Sequence, residues 1–279
     1  MTFELAELVA SRQARISVWF GGLDGSPWLA RDADLVHHPA STVKLPLFVA
    51  LHRAADAGEL DLDEKIAVQD RLPSVVPGRT YVTTHDYDQD DAVWDRLGSA
   101  ASLRWLAERA IIRSSNLATN LLIDRVGIDA VNAVYDDLGT PTSRLARGIQ
   151  DSPGGDAGLD STATAADLAA VLRGVATRTA AASTACEQIE AVLARCEDND
   201  GLPAGLPDGT YVAHKPGWID HVCHDVGIVR PEHEAPFVLA VMTGAPLPEA
   251  AGFRLVADVA ALCWRHRHRL AAAAGHVSA

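Results

Sequence analysis

An α+β fold is what the sequence predicts: an antiparallel sheet built from both chain ends and flanked by helices, with an all-helical lobe inserted between them. Three observations carry this expectation. Strand-like apolar runs sit at the two ends, helical spacing dominates the middle, and no internal repeat divides the 279 residues. The chain therefore reads as one domain over 1–279, with an α/β lobe formed by 1–52 and 180–279 and a helical lobe over 53–179.

Element by element, "FELAELVASR" has helical apolar spacing, and "RISVWFGG" and "SPWLARDADLVHHPA" read as two strands joined at a Gly-rich turn. A helix follows from Ser41 to about Ala57, closed by Gly58. Residues 61–98, with the acidic "HDYDQDDAVWD", read as irregular and polar. "SLRWLAERAIIRSSNLATNLLIDRVG" holds two helical patterns abutting at Ser114 and Ser115, and "GIDAVNAVYDDLG" is a third helix closed by Gly139. Residues 140–160 contain two Pro and four Gly and should form a long surface loop of the functional kind. "STATAADLAAVLRGVATR" and "TACEQIEAVLARC" continue as helices. The strands "GTYVAHKPGWI", "HDVGIVRP" and "PFVLAVMTGA" then precede a closing helix in "FRLVADVAALCWRHRHRL".

Composition narrows the functional classes. Hydrophobic residues make up 48% and charged residues 22%, the balance of a soluble globular domain. A formal charge of −13 argues against nucleic acid or an anionic membrane surface as partner. The basic run Arg265–Arg269 is expected at the end of the last helix, where positive charge suits the dipole. The first twenty residues lack a basic start and a continuous apolar stretch, so a cytoplasmic protein is expected unless the chain is the mature form of an exported one. No membrane span is expected. Cys186, Cys196, Cys223 and Cys263 form no C-x-x-C pair, and no disulfide is expected. His214, His221, Cys223 and His224 match no metal-ligand spacing, and strand alternation would separate His224 from His221 and Cys223, so neither metal nor cofactor is expected.

Three short motifs can carry chemistry. In "HHPASTVKLPLF", Lys44 follows Ser41 by three residues as an apolar run begins. The pair is either a helix cap with a surface lysine, or a nucleophile with a base whose pKa is lowered by desolvation. "RSSN" places Ser114 and Asn116 at a helix junction, where a hydroxyl can relay a proton and an amide can hold a carbonyl, or where both can serve as caps. In "HKPGWI", Lys215 offers a positive charge and Gly217 leaves room for close backbone approach on a strand whose edge can supply main-chain donors. Trp218 lines a pocket or packs in the core.

In order and spacing, Ser41-x-x-Lys44, Ser114-x-Asn116 and Lys215-Pro-Gly217 resemble the three signatures of penicillin-recognising serine hydrolases, the class A β-lactamases and their β-lactamase/transpeptidase-like relatives. The resemblance spans most of the chain and implies that fold. It implies Ser41 as nucleophile, Lys44 as base, and Ser114 as the relay of a proton to the leaving nitrogen. Asn116 would orient a substrate amide, Lys215 would hold a carboxylate and tune Ser114, and the oxyanion would be held by the Ser41 N–H plus one near Ile219 or Asp220. The implied reaction opens a β-lactam or a related amide or ester through an acyl-enzyme at Ser41. The implied partner is a small molecule, and a monomer is expected. The alternatives are an intracellular esterase or D-amino-acid peptidase-like amidase, and a penicillin-binding protein that turns over slowly.

Four departures bear on that resemblance. Residues 139–160 hold no glutamate to release the acyl group; Asp151, Asp156, Asp160 and Gln150 are the candidates, with Asp151 expected more as a loop anchor paired to Arg144 or Arg147 than as a base, and Asp160 as a cap or anchor for the next helix. Pro216 removes a hydroxyl from the third motif, which weakens carboxylate recognition. Ser115 replaces the aspartate of S-D-N. An export signal, usual in such enzymes, is not evident.

Overall fold

The computed structural model describes residues 14–275, together with Leu5, Glu7, Leu8 and Ala10 ahead of them. Those four positions are helical, and the rest of the expected opening helix lies outside the described residues. The sheet is built from β1 (Arg15–Gly22), β2 (Pro27–Arg31), β7 (Tyr211–Ile219), β8 (Val222–Arg230) and β9 (Phe237–Gly244), in the order β2-β1-β9-β8-β7. All its pairings are antiparallel. Strands from the two chain ends meet where β1 lies against β9, as expected, and β7 is an outer edge.

Both sheet faces are covered, which explains the near-continuous apolar runs. Successive residues of a strand point to opposite faces. Thus Val238, Ala240 and Met242 of β9 join the core beneath the helical side, whereas Phe237, Leu239 and Val241 join a second core under the closing helix. The helices are α1 (Lys44–Asp56), α2 (Asp91–Trp94), α3 (Leu103–Ile112), α4 (Asn116–Val126), α5 (Ile128–Asp137), α6 (Ser152–Asp156), α7 (Ala165–Ala176), α8 (Ser183–Leu193) and α9 (Glu249–Gly275). The larger core joins Phe48 and Leu51 of α1 to Leu106, Leu121 and Leu168. Nine consecutive residues of α1 are buried, so this helix runs through the molecule and sets its first turn deep in the interior.

Three expectations need correction. Residues 61–98 are not simply irregular: β3 (Lys65–Ala67) pairs with β6 (Ala100–Ser102), and β4 (Arg71–Pro73) pairs with β5 (Thr80–Val82). Strands of three residues are too short to show an alternating pattern. The 140–160 loop includes the short helix α6. The basic run does not end the last helix, which continues to Gly275. Its charge is met by side chains instead, with Arg267 lying 3.9 Å over the Trp264 ring and pairing with Glu234 at 2.7 Å. Among the described residues no helix is long and apolar enough to cross a membrane, and all four cysteines are free and buried.

Candidate active site

The approach to α1 differs from the expected one in a way that matters chemically. Residues Ala40–Val43 form a 3-10 turn, and the α-helix begins at Lys44. Ser41 makes no capping bond, so its hydroxyl is left for other partners. In a 3-10 turn, residues three apart eclipse one another. Ser41 and Lys44 are therefore stacked along one edge, with Nζ 3.1 Å from Oγ. Ala40 holds a left-handed backbone at φ +47, a conformation rare outside glycine and often found beside functional groups.

Lys44 is fully buried. Its Nζ also lies 2.6 Å from Ser114 O, 3.0 Å from Ser114 Oγ and 2.8 Å from Asn116 Oδ1. The carbonyl oxygens of Ser114 and Asn116 can only accept. A neutral lysine thus spends its two N–H groups on them and turns its lone pair toward a serine hydroxyl. Burial holds the Lys44 pKa well below the usual lysine range, the charge of Lys215 lowers it further, and Asp88 opposes the shift.

Ser114 sits in the break between α3 and α4, also left-handed at φ +57. The segment is strapped in place by Asp88 and Tyr87, which reading the sequence did not single out. Ser115 caps α4 by accepting from Ala118 N and donates to Asp88 Oδ2 at 3.2 Å. The same carboxylate oxygen accepts from Leu117 N at 2.7 Å. Asn116 Nδ2 donates to the carbonyl of Tyr87. Asp88 therefore brings, from a separate loop, a carboxylate to the helix start where Ser115 stands in place of the aspartate of S-D-N. The one available clue was the acidic run itself, which carries no periodicity.

On β7, Gly217 packs its backbone directly on the 3-10 turn. A Cβ there would meet Ser41 N at 2.7 Å and Thr42 N at 3.0 Å, so only glycine fits without displacing the serine. Lys215 is fully buried with its Nζ donating to Pro216 O at 2.9 Å. Burial lowers its pKa, while Cys196, Asp225 and Asp198 favour its charge. Asp225 in turn accepts from His214 Nδ1 and Leu202 N, at 3.0 and 2.8 Å.

These elements border a cavity of about 470 Å³. Ser41, Ser114 and Asn116 form its floor and Trp218, Ile219 and Asp220 one wall; Asp86 and Tyr87 stand on the helical side and Arg147 to Gln150 on the loop side. Lys215 and Gly217 do not line it. His38 also borders the cavity; Ala40 N donates to its Nδ1 at 3.1 Å, so a neutral ring carries its proton on Nε2.

The loop carboxylates lie elsewhere. Asp151 is buried and accepts from Ser74 Oγ at 2.7 Å, Val75 N at 2.9 Å and Gly154 N at 3.1 Å. It is an anchor, but not through the arginines expected: Arg144 pairs with Asp136, and Arg147 donates to the backbone oxygen of Asp151 and to Asp160. Gln150 is bonded through its amide to Thr84 N and Oγ1. Asp160 is bound to Arg147, and the cap of α7 is Thr164. Asp156 is exposed. His221 lies in the turn before β8 and not on the strand, and among the described residues no cluster of three His, Cys, Asp or Glu side chains is placed to hold a metal ion.

A sheet of this order flanked by helices, with a buried lysine between two serines, defines a class of serine hydrolase, and comparison with known proteins agrees. The profile of the β-lactamase enzyme family matches residues 2–267, and the chain belongs to that family. No curated protein matches it. Among solved structures it is similar to the β-lactamase of Sphaerobacter thermophilus DSM 20745, at 28% identity and TM-score 0.76, covering 93% of this chain and 94% of that one. It is also similar to PBP-A, at 25% identity and TM-score 0.79, covering 96% and 95%. A variant of the reconstructed class A β-lactamase of the last common ancestor of Gram-negative bacteria shows 26% identity and TM-score 0.83, covering 96% and 98%.

Proposed function

We propose that the protein forms an acyl-enzyme at Ser41 by opening a β-lactam or a related amide or ester. The observation that carries this is Lys44 Nζ at 3.1 Å from Ser41 Oγ and 3.0 Å from Ser114 Oγ in a fully buried position. Lys44 takes the Ser41 proton as Oγ bonds to the carbonyl carbon, and Ser114 passes a proton to the leaving nitrogen or oxygen as its bond to carbon breaks. Asn116 Nδ2 keeps one N–H for a substrate carbonyl beside the one given to Tyr87.

The oxyanion donors are Ser41 N–H and the N–H of Trp218, not that of Ile219 or Asp220. Pro216 has no N–H and lies in the edge strand, its carbonyl taken by the Lys215 side chain. Backbone N–H groups alternate between the two edges of a strand, so Trp218 shares the outer edge with Pro216, while Ile219 faces β8. Gly217 brings that edge against Ser41 N. Each such donor lowers the barrier by on the order of 3 kcal/mol.

Acyl release is slow in this reading, because Asp151 and Gln150 are both committed to holding the loop. That favours a penicillin-binding or slow-turnover enzyme over an efficient β-lactamase. Intact-mass spectrometry with a panel of lactams and activated esters, followed over time with Ser41→Ala as control, tests it. An adduct that forms within minutes and persists supports the reading. No adduct with any member of the panel contradicts it.

A further inference from the structure

Of the nine consecutive buried residues of α1, only Lys44 and His52 carry ionisable side chains. Lys44 belongs to the active site; His52, two helical turns further on, does not. It lines a second cavity of about 170 Å³ where α1, α3 and α8 meet, which shares no residue with the cavity at Ser41. Phe48, Leu62, Ala107 and Val192 supply its buried apolar lining. His52 is only 5% exposed and meets the Phe48 ring edge-on at 4.9 Å, yet no hydrogen bond reaches its imidazole among the described residues. Buried polar groups are nearly always hydrogen-bonded, so the ring nitrogens are left for an occupant of the cavity. Burial lowers the His52 pKa to about 4, with Arg104 lowering and Asp56 raising it, so at neutral pH the ring offers one N–H and one lone pair. The two charges that border the cavity are already answered. Arg104 gives Nε and Nη2 to Asp63 at 2.9 and 3.1 Å, and Glu108 accepts from Arg195 at 3.2 Å.

We infer that this cavity is a binding site for a small uncharged ring compound bearing a hydroxyl, of the phenol class, with the ring on the apolar lining and the hydroxyl on His52. Size sets the ring: an apolar cavity of about 150 Å³ holds one benzene. Chemistry sets the hydroxyl, which both donates and accepts and so satisfies either tautomer of the imidazole. A carboxylate would lose hydration beside a neutral ring and gain no ion pair. The inference stands apart from the acyl-enzyme reading, since the site shares no residue with it.

The test titrates phenol, toluene and benzoate into the full chain at neutral pH and follows, by NMR, the His52 ring nitrogens and the methyl groups of Leu62 and Val192. Phenol is expected to shift all of them saturably as one site. Toluene, which fills the same space without the hydroxyl, is expected to bind about five-fold more weakly, the worth of one hydrogen bond, and benzoate to leave the signals unmoved. His52→Phe keeps a ring in place and is expected to abolish the preference for phenol over toluene, read at the methyl groups. Ala191→Phe, at an exposed position of α8 on the cavity rim, is expected to block all binding there without touching the core. No saturable shift with phenol, toluene or benzoate binding as tightly as phenol, a preference that survives His52→Phe, or phenol binding undiminished in Ala191→Phe overturns the inference. None of these outcomes bears on acylation of Ser41, which intact mass follows separately.

Discussion

Lys44 and Ser41 face each other across a single 3-10 turn, Nζ to Oγ at 3.1 Å. The turn, not the helix after it, creates the pairing, and burial keeps the amine from holding its proton as an ordinary lysine does. Lys44→Met keeps the volume and apolar stem while removing the base. Acylation of Ser41 is expected to slow by about 100- to 10,000-fold, with the variant still folded by circular dichroism. A variant that acylates at the parent rate would remove Lys44 from the chemistry.

Gly217→Ala tests the packing of β7 on that turn. The added methyl must displace Ser41 N, which it would approach to 2.7 Å. Because the same N–H is assigned to the oxyanion, the acylation rate should fall by on the order of 100-fold. Thermal melting measured beside the rate separates this from a general loss of stability.

Asp88 offers a charge and two hydrogen bonds to the start of α4. Asp88→Ala leaves Leu117 N without its side-chain acceptor and should cost about 1–3 kcal/mol in urea unfolding. Asp88→Asn retains an acceptor but removes the charge that raises the Lys44 pKa. With Lys44 active as the neutral amine, activity rises with pH through its pKa. Removing Asp88 therefore moves the acid limb of kcat/KM to lower pH, whereas a residue that only braces the helix would leave the limb where it is.

Asp151→Asn separates anchoring from water activation. The carboxylate holds Ser74, Val75 and Gly154, so the variant is expected to lose about 1–3 kcal/mol of stability and to leave the lifetime of the acyl adduct unchanged. A large increase in that lifetime, with stability preserved, would make Asp151 the deacylating base.

The core should lose stability in mild acid. Thr243 N donates to His224 Nδ1 at 3.0 Å, so the neutral ring donates from Nε2 to His38 O at 2.9 Å. Burial lowers the His224 pKa to about 4 from its usual 6.5. Between those values the unfolded chain binds a proton that the folded one does not, so stability present above about pH 6.5 is lost as pH falls toward 4. From pH 7 to 5 the His224 contribution falls by about 2 kcal/mol. Urea unfolding at the two pH values, with His224→Gln for comparison, measures it.

The motif residues were legible because each set is local. Ser41 and Lys44, Ser114 and Asn116, and Lys215 and Gly217 each fall within four residues, and apolar periodicity marks the helices and strands that present them. What was not legible is held by long-range polar bonds. Asp88 reaches Ser115 and Leu117 across 27 and 29 positions from a stretch without periodicity. Asp151 finds Ser74 and Val75 where proximity in sequence pointed to arginines. Arg265–Arg269 looked like a helix end because basic residues favour one, yet Trp264 and Glu234 answer the charge of Arg267 within a helix that runs on.

Covalent chemistry at Ser41 is tested most directly by following the intact mass of the protein over time with a panel of lactams and activated esters and mapping the modified peptide. One acyl group on Ser41, forming in the parent protein and absent in Ser41→Ala, is the expected result. An unmodified Ser41 in the parent protein, or an adduct of equal yield in Ser41→Ala, would contradict it.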